Sequence, residues 1–231
     1  MSTCAILLCA GRGERLGAGV PKALAPLAGR PLFTWSLEAF GNCKAIEGIV
    51  LVGPVRTLRE LVAASGMGSA KIVAYTEGGD ARQHSVGRGL HVVPEGFSHV
   101  AVHDSARALV SPEVIERTVA AAVEHGAAIA AVPQADTLKQ ASLGTISGTV
   151  PRAGLWAAQT PQVFRRDWLE RAHREAAEVA TDDATLVEWL GHPVHVAPGD
   201  PLNFKVTTTN DLELAEAWLA HRAAVAHRGK A

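Results

Sequence analysis

Arg15 and Lys22 stand close together on one glycine-bearing stretch, Ala10-Gly11-Arg12-Gly13-Glu14-Arg15-Leu16 followed by Val20-Pro21-Lys22. Glycines let a backbone approach a ligand and turn its N–H groups towards phosphate oxygens, and two cations add fixed positive charge. That combination suits a nucleoside triphosphate. The Walker loop needs Gly-x-x-x-x-Gly-Lys-Ser/Thr, and no lysine here follows that spacing. The dinucleotide fingerprint needs a third glycine where Leu16 stands.

Other chemistry lies further along. His103-Asp104-Ser105-Ala106-Arg107 follows an apolar run. A carboxylate at the C-terminal end of a parallel strand lies where α/β sheets bind ligands. A single one suits Mg²⁺, which keeps waters and bridges to substrate phosphates. The plainer reading is a surface pair of Asp104 with Arg107. In Gly78-Gly79-Asp80-Ala81-Arg82-Gln83-His84-Ser85-Val86 a tight turn leads into a helix. Backbone groups of Gly79 and Asp80, with the Ser85 hydroxyl, would read a nucleobase edge; otherwise Asp80 merely caps the helix. Asp182 and Asp183 read as acids in the first turn of a helix, placed for its dipole. Lys205, in Asn203-Phe204-Lys205-Val206-Thr207, must either snorkel out or meet an anion. Thr137, Arg152 and Thr160 read individually as turn or strand residues. No convincing Ser–His or His–carboxylate pair for activating a nucleophile is evident.

These residues need a scaffold that gathers them. Apolar runs predict strands at Ala5–Ala10, Gly48–Val52, Lys71–Tyr75, Val100–His103 and Ala127–Val132. Helices are expected between them, at Leu32–Phe40, Val55–Ala64, Arg82–Val92 and Pro112–His125, the last with Ser111 as N-cap. The alternation predicts an α/β fold, a mostly parallel sheet with helices on both faces. Residues from about 136 to 158 break it, with a Gly/Ser/Thr-rich tip that predicts a projecting hairpin. Exposed strands invite cover, so this β-arm is expected to pack against a second subunit. Helices are expected near Asp167–Ala177 and from Asp183 to Leu190, and late strands at Val194–Ala197 and Phe204–Val206. A last helix is expected to start at Asn210 with Glu213 as its capping partner. The chain, 1–231, reads as a single domain.

Bulk properties limit the partners. The 231 residues carry a formal net charge of −1, which gives no global basic field for nucleic acid or a membrane surface. Polar residues interrupt every apolar run well short of a membrane span. The three cysteines, Cys4, Cys9 and Cys43, read as small core residues, and the default compartment is a reduced cytoplasm.

The opening motif resembles that of sugar-phosphate nucleotidyltransferases. With Gly78-Gly79-Asp80 together with Arg82 and Ser85-Val86, His103-Asp104-Ser105-Ala106-Arg107, Asp136-Thr137-Leu138-Lys139, Thr160-Pro161-Gln162, Thr181-Asp182-Asp183-Ala184 and Lys205-Val206-Thr207, the chain from Ala5 to about Ala217 resembles the 2-C-methyl-D-erythritol 4-phosphate cytidylyltransferases. The resemblance implies a Rossmann-like nucleotidyltransferase fold, a homodimer joined through the β-arm, CTP and Mg²⁺. It implies that Arg15 and Lys22 stabilise the transition state. Cys9, Ala10, Gly11 and Gly13 would hold the triphosphate and part of the base, and Gly79, Asp80 and Ser85 would complete cytosine recognition. Asp104 would bind the metal, with Ser105 near the ribose. Thr137, Arg152, Thr160, Thr181 and Lys205 would hold the sugar phosphate. Leu202 stands near where the family often has an acidic residue, with Asp200 close by. Rival readings are a related transferase acting on ribitol 5-phosphate, guanylyl transfer, and a nucleotide-binding regulator without catalysis.

Overall fold

The structure is a computed structural model and describes residues 1–11, 21–65 and 69–228. Arg15 and Gly13 therefore lie outside the described residues. In chain order the elements are β1 (Thr3–Leu8), β2 (Pro26–Leu27), β3 (Arg30–Pro31), α1 (Leu32–Asn42), β4 (Gly48–Val52), α2 (Val55–Ser65), β5 (Ile72–Thr76), α3 (Arg82–His91), β6 (His99–Asp104) and α4 (Pro112–His125). They continue with β7 (Ala127–Pro133), β8 (Leu138–Ser142), β9 (Thr145–Val150), β10 (Trp156–Arg165), α5 (Arg166–Glu175), α6 (Asp183–Trp189), β11 (His195–Pro198) and α7 (Thr209–Arg228).

Seven strands form one sheet in the order β11-β7-β10-β6-β1-β4-β5. All neighbours are parallel except β10, which runs antiparallel between β6 and β7. Because strand side chains alternate, each central strand feeds two cores. Ala5, Leu7, Ile49, Leu51 and Ala101 face one side, where Phe33, Leu58 and Ile115 of α1, α2 and α4 cover them. Cys4, Ile6, Val50, Val52 and Val102 face the other, under Val86, Leu169 and Leu186 of α3, α5 and α6. Leu219 and Ala215 of α7 pack on Leu27 and the loop at Ala106–Leu109. Ser111 caps α4 as expected, its hydroxyl accepting the Val114 N–H.

Four expectations change. β1 starts and ends two residues before the apolar run suggests, because its ladders with β4 and β6 stop at Leu8. β10 is a strand that the sequence reading did not contain; its pairing with β7 shifts register between Ala158 and Gln162, around a cis Thr160–Pro161 bond. Phe204–Val206 is not a strand: it has no ladder, and its backbone is tied by the Val206 N–H donating to the Ala106 carbonyl. α7 is capped two residues earlier than expected. Thr208 Oγ1 accepts the Asp211 N–H, while Asp211 Oδ2 accepts the Thr208 N–H, a reciprocal capping box. β8 and β9 form a separate two-stranded sheet, with Leu143 and Ile146 exposed.

Candidate active site

β1 and β6 end side by side, and their connections leave towards opposite edges of the sheet. That is a switch point, where open α/β sheets form a crevice beyond the strands' C-terminal ends. A cavity of about 370 Å³ lies there. Ala10, Gly11 and Lys22 reach it from the first motif, Gly79, Asp80 and Ser85 from the second, and Asp104 and Lys205 from the later ones. Lys22 opens a 3-10 turn, and its N–H donates to the Gly11 carbonyl, which closes the loop's two ends on each other. The two glycine motifs touch: a Cβ on Gly78 would collide with the Ala10 Cβ, so only glycine allows this approach.

Asp104 is the electrostatic centre. Its Oδ1 accepts from Arg82 Nε at 3.1 Å and its Oδ2 from Lys205 Nζ at 2.6 Å. Burial works against its charged form, but Arg82 and then Lys205 outweigh that and hold the carboxyl well below the usual range. Arg82 also donates to buried Asp183 at 2.7 Å, and His173 Nε2 lies 2.8 Å from the other Asp183 oxygen. The chain of contacts runs Lys205–Asp104–Arg82–Asp183–His173. Burial opposes the Arg82 charge, yet Asp183 and Asp104 raise its pKa further. The plainer alternative, an Asp104–Arg107 pair, does not form; Arg107 donates instead to the carbonyls of Asn203 and Ala158.

Lys205 meets an anion, one of its two predicted alternatives, although its segment is not a strand. Side chains hold that segment in place: Asn203 Nδ2 donates to the Thr160 carbonyl at 2.9 Å and to Gln159 Oε1 at 3.2 Å. Asp200 Oδ1 accepts the Leu202 N–H, so this carboxylate caps its own turn.

Cys9 and Ser105, next in sequence to lining residues, do not themselves line the cavity. Both are buried, and Cys9 Sγ is 3.1 Å from Ser105 Oγ. Burial pushes the Cys9 thiol up to about 12, so it stays protonated. The Gly79 N–H donates to Ser85 Oγ at 3.0 Å, which fixes the turn beside the cavity. Asp80 is exposed and bonds His84 instead of capping α3. Thr160 is buried, its hydroxyl bonded to the Asp104 N–H and to His103. His103 is fully buried, and burial lowers its pKa to about 3. Thr137, Arg152 and Thr181 are exposed and do not line the cavity; Arg152 donates to the Ala135 carbonyl at the base of the arm.

The model of the family described as 2-C-methyl-D-erythritol 4-phosphate cytidylyltransferase matches residues 3–221. The chain belongs to that family. A 2-C-methyl-D-erythritol 4-phosphate cytidylyltransferase of Prochlorococcus marinus (strain MIT 9313) is 45% identical over 94% of this chain and 98% of its own. A crystal structure of the Thermus thermophilus cytidylyltransferase matches with a TM-score of 0.76 and 33% identity, covering 93% of this chain and 98% of that one. The 4-diphosphocytidyl-2C-methyl-D-erythritol synthase of Anaerococcus prevotii DSM 20548 matches with a TM-score of 0.82 and 26% identity, covering 95% and 98%.

In this cytidylyltransferase fold the sequence reading quoted Arg82 among the motif residues but gave it no role, and it missed Asp183 and His173 as parts of the site. Arg82 carried a signal: it is the first residue of α3, where the helix dipole disfavours a cation. A cation there needs an anion from elsewhere. Asp182 fits the helix-start reading, accepting the Thr185 N–H as N-cap, while its neighbour Asp183 is committed to Arg82.

Proposed function

We propose that the protein joins CTP and 2-C-methyl-D-erythritol 4-phosphate to give 4-diphosphocytidyl-2-C-methyl-D-erythritol and pyrophosphate, in non-mevalonate isoprenoid synthesis. The family match across residues 3–221 carries this reading. The cavity supports it, with Lys22, Arg82 and Lys205 beside one ionised carboxylate. A phosphate oxygen of the polyol phosphate attacks the α-phosphorus of CTP in line, and pyrophosphate leaves. The nucleophile is already an anion at neutral pH, so no general base is needed. The remaining difficulty is anion repulsion and charge growing on the α-phosphate. Lys22 and Arg15 meet it as fixed cations, and Lys205 and Arg152 position the acceptor phosphate. Thr137, Thr160 and Thr181 complete the acceptor site. Ala10, Gly11 and Gly13 hold the triphosphate, with Cys9 supporting the loop. Gly79, Asp80 and Ser85 read the cytosine, and Ser105 stands near the ribose.

Among the described residues, no group of three or more His, Cys, Asp or Glu side chains is placed to hold a metal ion. A single carboxylate is nonetheless enough for Mg²⁺ that takes its other ligands from phosphates and water. Asp104 accepts from Arg82 on one oxygen and from Lys205 on the other, and a carboxylate has about four acceptor sites, so Asp104 fits such an ion. Bound there, Mg²⁺ would neutralise triphosphate charge.

The arm, expected at about 136–158 but built on β8 and β9 and ending before β10 starts at Trp156, is assigned to dimerisation of an otherwise single domain, carrying Thr137 and Arg152 towards the partner's site. An isolated hairpin is marginal in water, and this one exposes Leu143 and Ile146. Sedimentation at micromolar concentration should give a dimer, and Ile146→Glu should shift it to monomer; a monomeric parent protein would refute the assignment. No helix among the described residues is long and apolar enough to cross a membrane. With all three cysteines free and buried, a cytoplasmic setting is assigned.

The deciding assay is pyrophosphate release from purified protein with Mg²⁺ and CTP, comparing 2-C-methyl-D-erythritol 4-phosphate with ribitol 5-phosphate. Release with the first alone is expected. Release with the second alone would keep the mechanism and overturn the substrate, and CTP binding without release would favour the regulator reading.

A further inference from the structure

We propose that His103 is a positioning residue for Thr160: its Nδ1–H donates to the Thr160 hydroxyl oxygen, leaving the hydroxyl hydrogen for the phosphate of the acceptor. This rests on the reading of Thr160 as an acceptor-site residue. A hydroxyl has one hydrogen to give and two lone pairs. Thr160 Oγ1 lies 3.1 Å from the Asp104 backbone nitrogen, which can only donate, and 3.0 Å from His103 Nδ1, which donates or accepts according to the tautomer.

The other ring nitrogen decides the tautomer. His103 Nε2 is buried and makes no well-aligned hydrogen bond, although backbone groups of Arg107 and Thr160 lie near the ring, which sits 4.8 Å from that of Phe40. If the proton sat on Nε2, a donor would lack a well-aligned acceptor there and the only Thr160 hydrogen would be spent on Nδ1. A doubly protonated ring would leave a charged donor in that position. With the proton on Nδ1, only a lone pair is left at Nε2, and buried orphan donors are rarer than under-satisfied acceptors. Both Thr160 lone pairs are then filled from within the protein, and its hydrogen is the one uncommitted donor. Thr160 is itself nearly buried, so little water competes for that hydrogen. Its carbonyl accepts from Asn203, two residues before Lys205, so the hydroxyl and the ammonium are carried on joined segments. The Asp104 N–H fixes the hydroxyl from one side and His103 from the other. Both belong to the C-terminal end of β6.

Four variants test this: His103→Phe, which keeps a ring and loses the donor; His103→Asn, whose amide places a donor near the Nδ1 position; Thr160→Val; and the double variant His103→Phe/Thr160→Val. The measurements are KM for methylerythritol phosphate and for CTP, and kcat. Thr160→Val should raise the acceptor KM about tenfold, the order expected for one lost hydrogen bond to a charged group. His103→Phe should raise the acceptor KM severalfold and leave the CTP KM unchanged. His103→Asn should restore most of the loss, and His103→Phe should add nothing in the Thr160→Val background. If His103→Phe does not fold, His103→Gln, with its donor at the Nε2 position, replaces it and should show the same acceptor defect. An unchanged acceptor KM in that variant beside a raised one in Thr160→Val overturns the role of His103 alone. So does a His103 effect that persists undiminished in the double variant. An unchanged acceptor KM in Thr160→Val overturns the reading of Thr160, and this proposal with it.

Discussion

The two ends of β6 carry charged hollows that differ in how they are built. At the start of the strand, His99, Arg165, Arg166 and Asp167 line a hollow of about 720 Å³, larger than the cavity at the other end. Its ion pairs are local, although Arg166 also reaches distant backbone. Arg165 pairs with Asp167, Arg166 with Glu170 one helical turn on, and Arg166 also holds the carbonyls of Val93 and Pro94. At the far end, the Lys205–Asp104 and Arg82–Asp183 pairs each join residues 101 positions apart. Charges brought together from distant segments persist only because the fold holds them, at the cost of desolvating each one. Volume does not separate the two hollows; the origin of their charges does.

Breaking the long-range pairs should cost most. Arg82→Met leaves buried Asp183 with the His173 ring as its remaining side-chain partner, and removing one member of a buried pair costs about 3–5 kcal/mol. Urea unfolding should show that loss, towards the lower end because His173 stays. A shift no larger than that of a surface variant would mean that Asp183 is satisfied without Arg82. Lys22→Ala should reduce pyrophosphate release on the order of 10²–10³, as removal of one preorganised charge contact does, with thermal unfolding unchanged. Arg15→Ala should behave alike, and near-normal turnover in either variant would remove the proposed role.

Acid should separate the histidines from the carboxylates by pH. Burial first, then Arg165, lowers the pKa of His99, and burial lowers that of His103 to about 3. Both histidines bind a proton less readily in the folded chain. Their contribution is complete above the ordinary histidine value of about 6.5 and is lost as pH falls below it. For Asp183, burial opposes the charge but His173 and Arg82 prevail and lower the pKa, as Arg82 and Lys205 do for Asp104. Those contributions hold above the usual carboxylate range near about 4 and fail below it. Stability against pH should therefore fall in two stages, and His99→Phe should shallow the first without changing turnover. The smallest effect belongs to Arg165→Ala: its charge is exposed, so neither melting temperature nor turnover should move measurably.

Local signals were legible in the sequence and distant ones were not. The parallel strands could be read because each is a short apolar run between turns, as in Gly48–Val52. The α4 cap and the hairpin were equally local. β10 was hidden because its Thr160-Pro161 reads as a break, and a bulge there removes the alternation that marks a strand. Phe204–Val206 had a strand's composition without a ladder partner, and its order comes from Asn203, Gln159 and Arg107. In the site, strand-end geometry made Asp104 readable, and Lys205 was readable as a cation in need of an anion. The Arg82–Asp183–His173 extension has no short-range pattern, since its members sit on three helices.

The antiparallel placing of β10 also sets the order in which the sheet can be completed during synthesis. β5, β4, β1 and β6 are all translated by Asp104, but β10, the other neighbour of β6, is finished only at Arg165. Until then β6, buried along its whole length in the finished fold, is an open edge of a nascent half-sheet. β7 is made earlier but reaches the half-sheet only through β10. A chain arrested within the arm would thus lack the strand that covers this edge of β6.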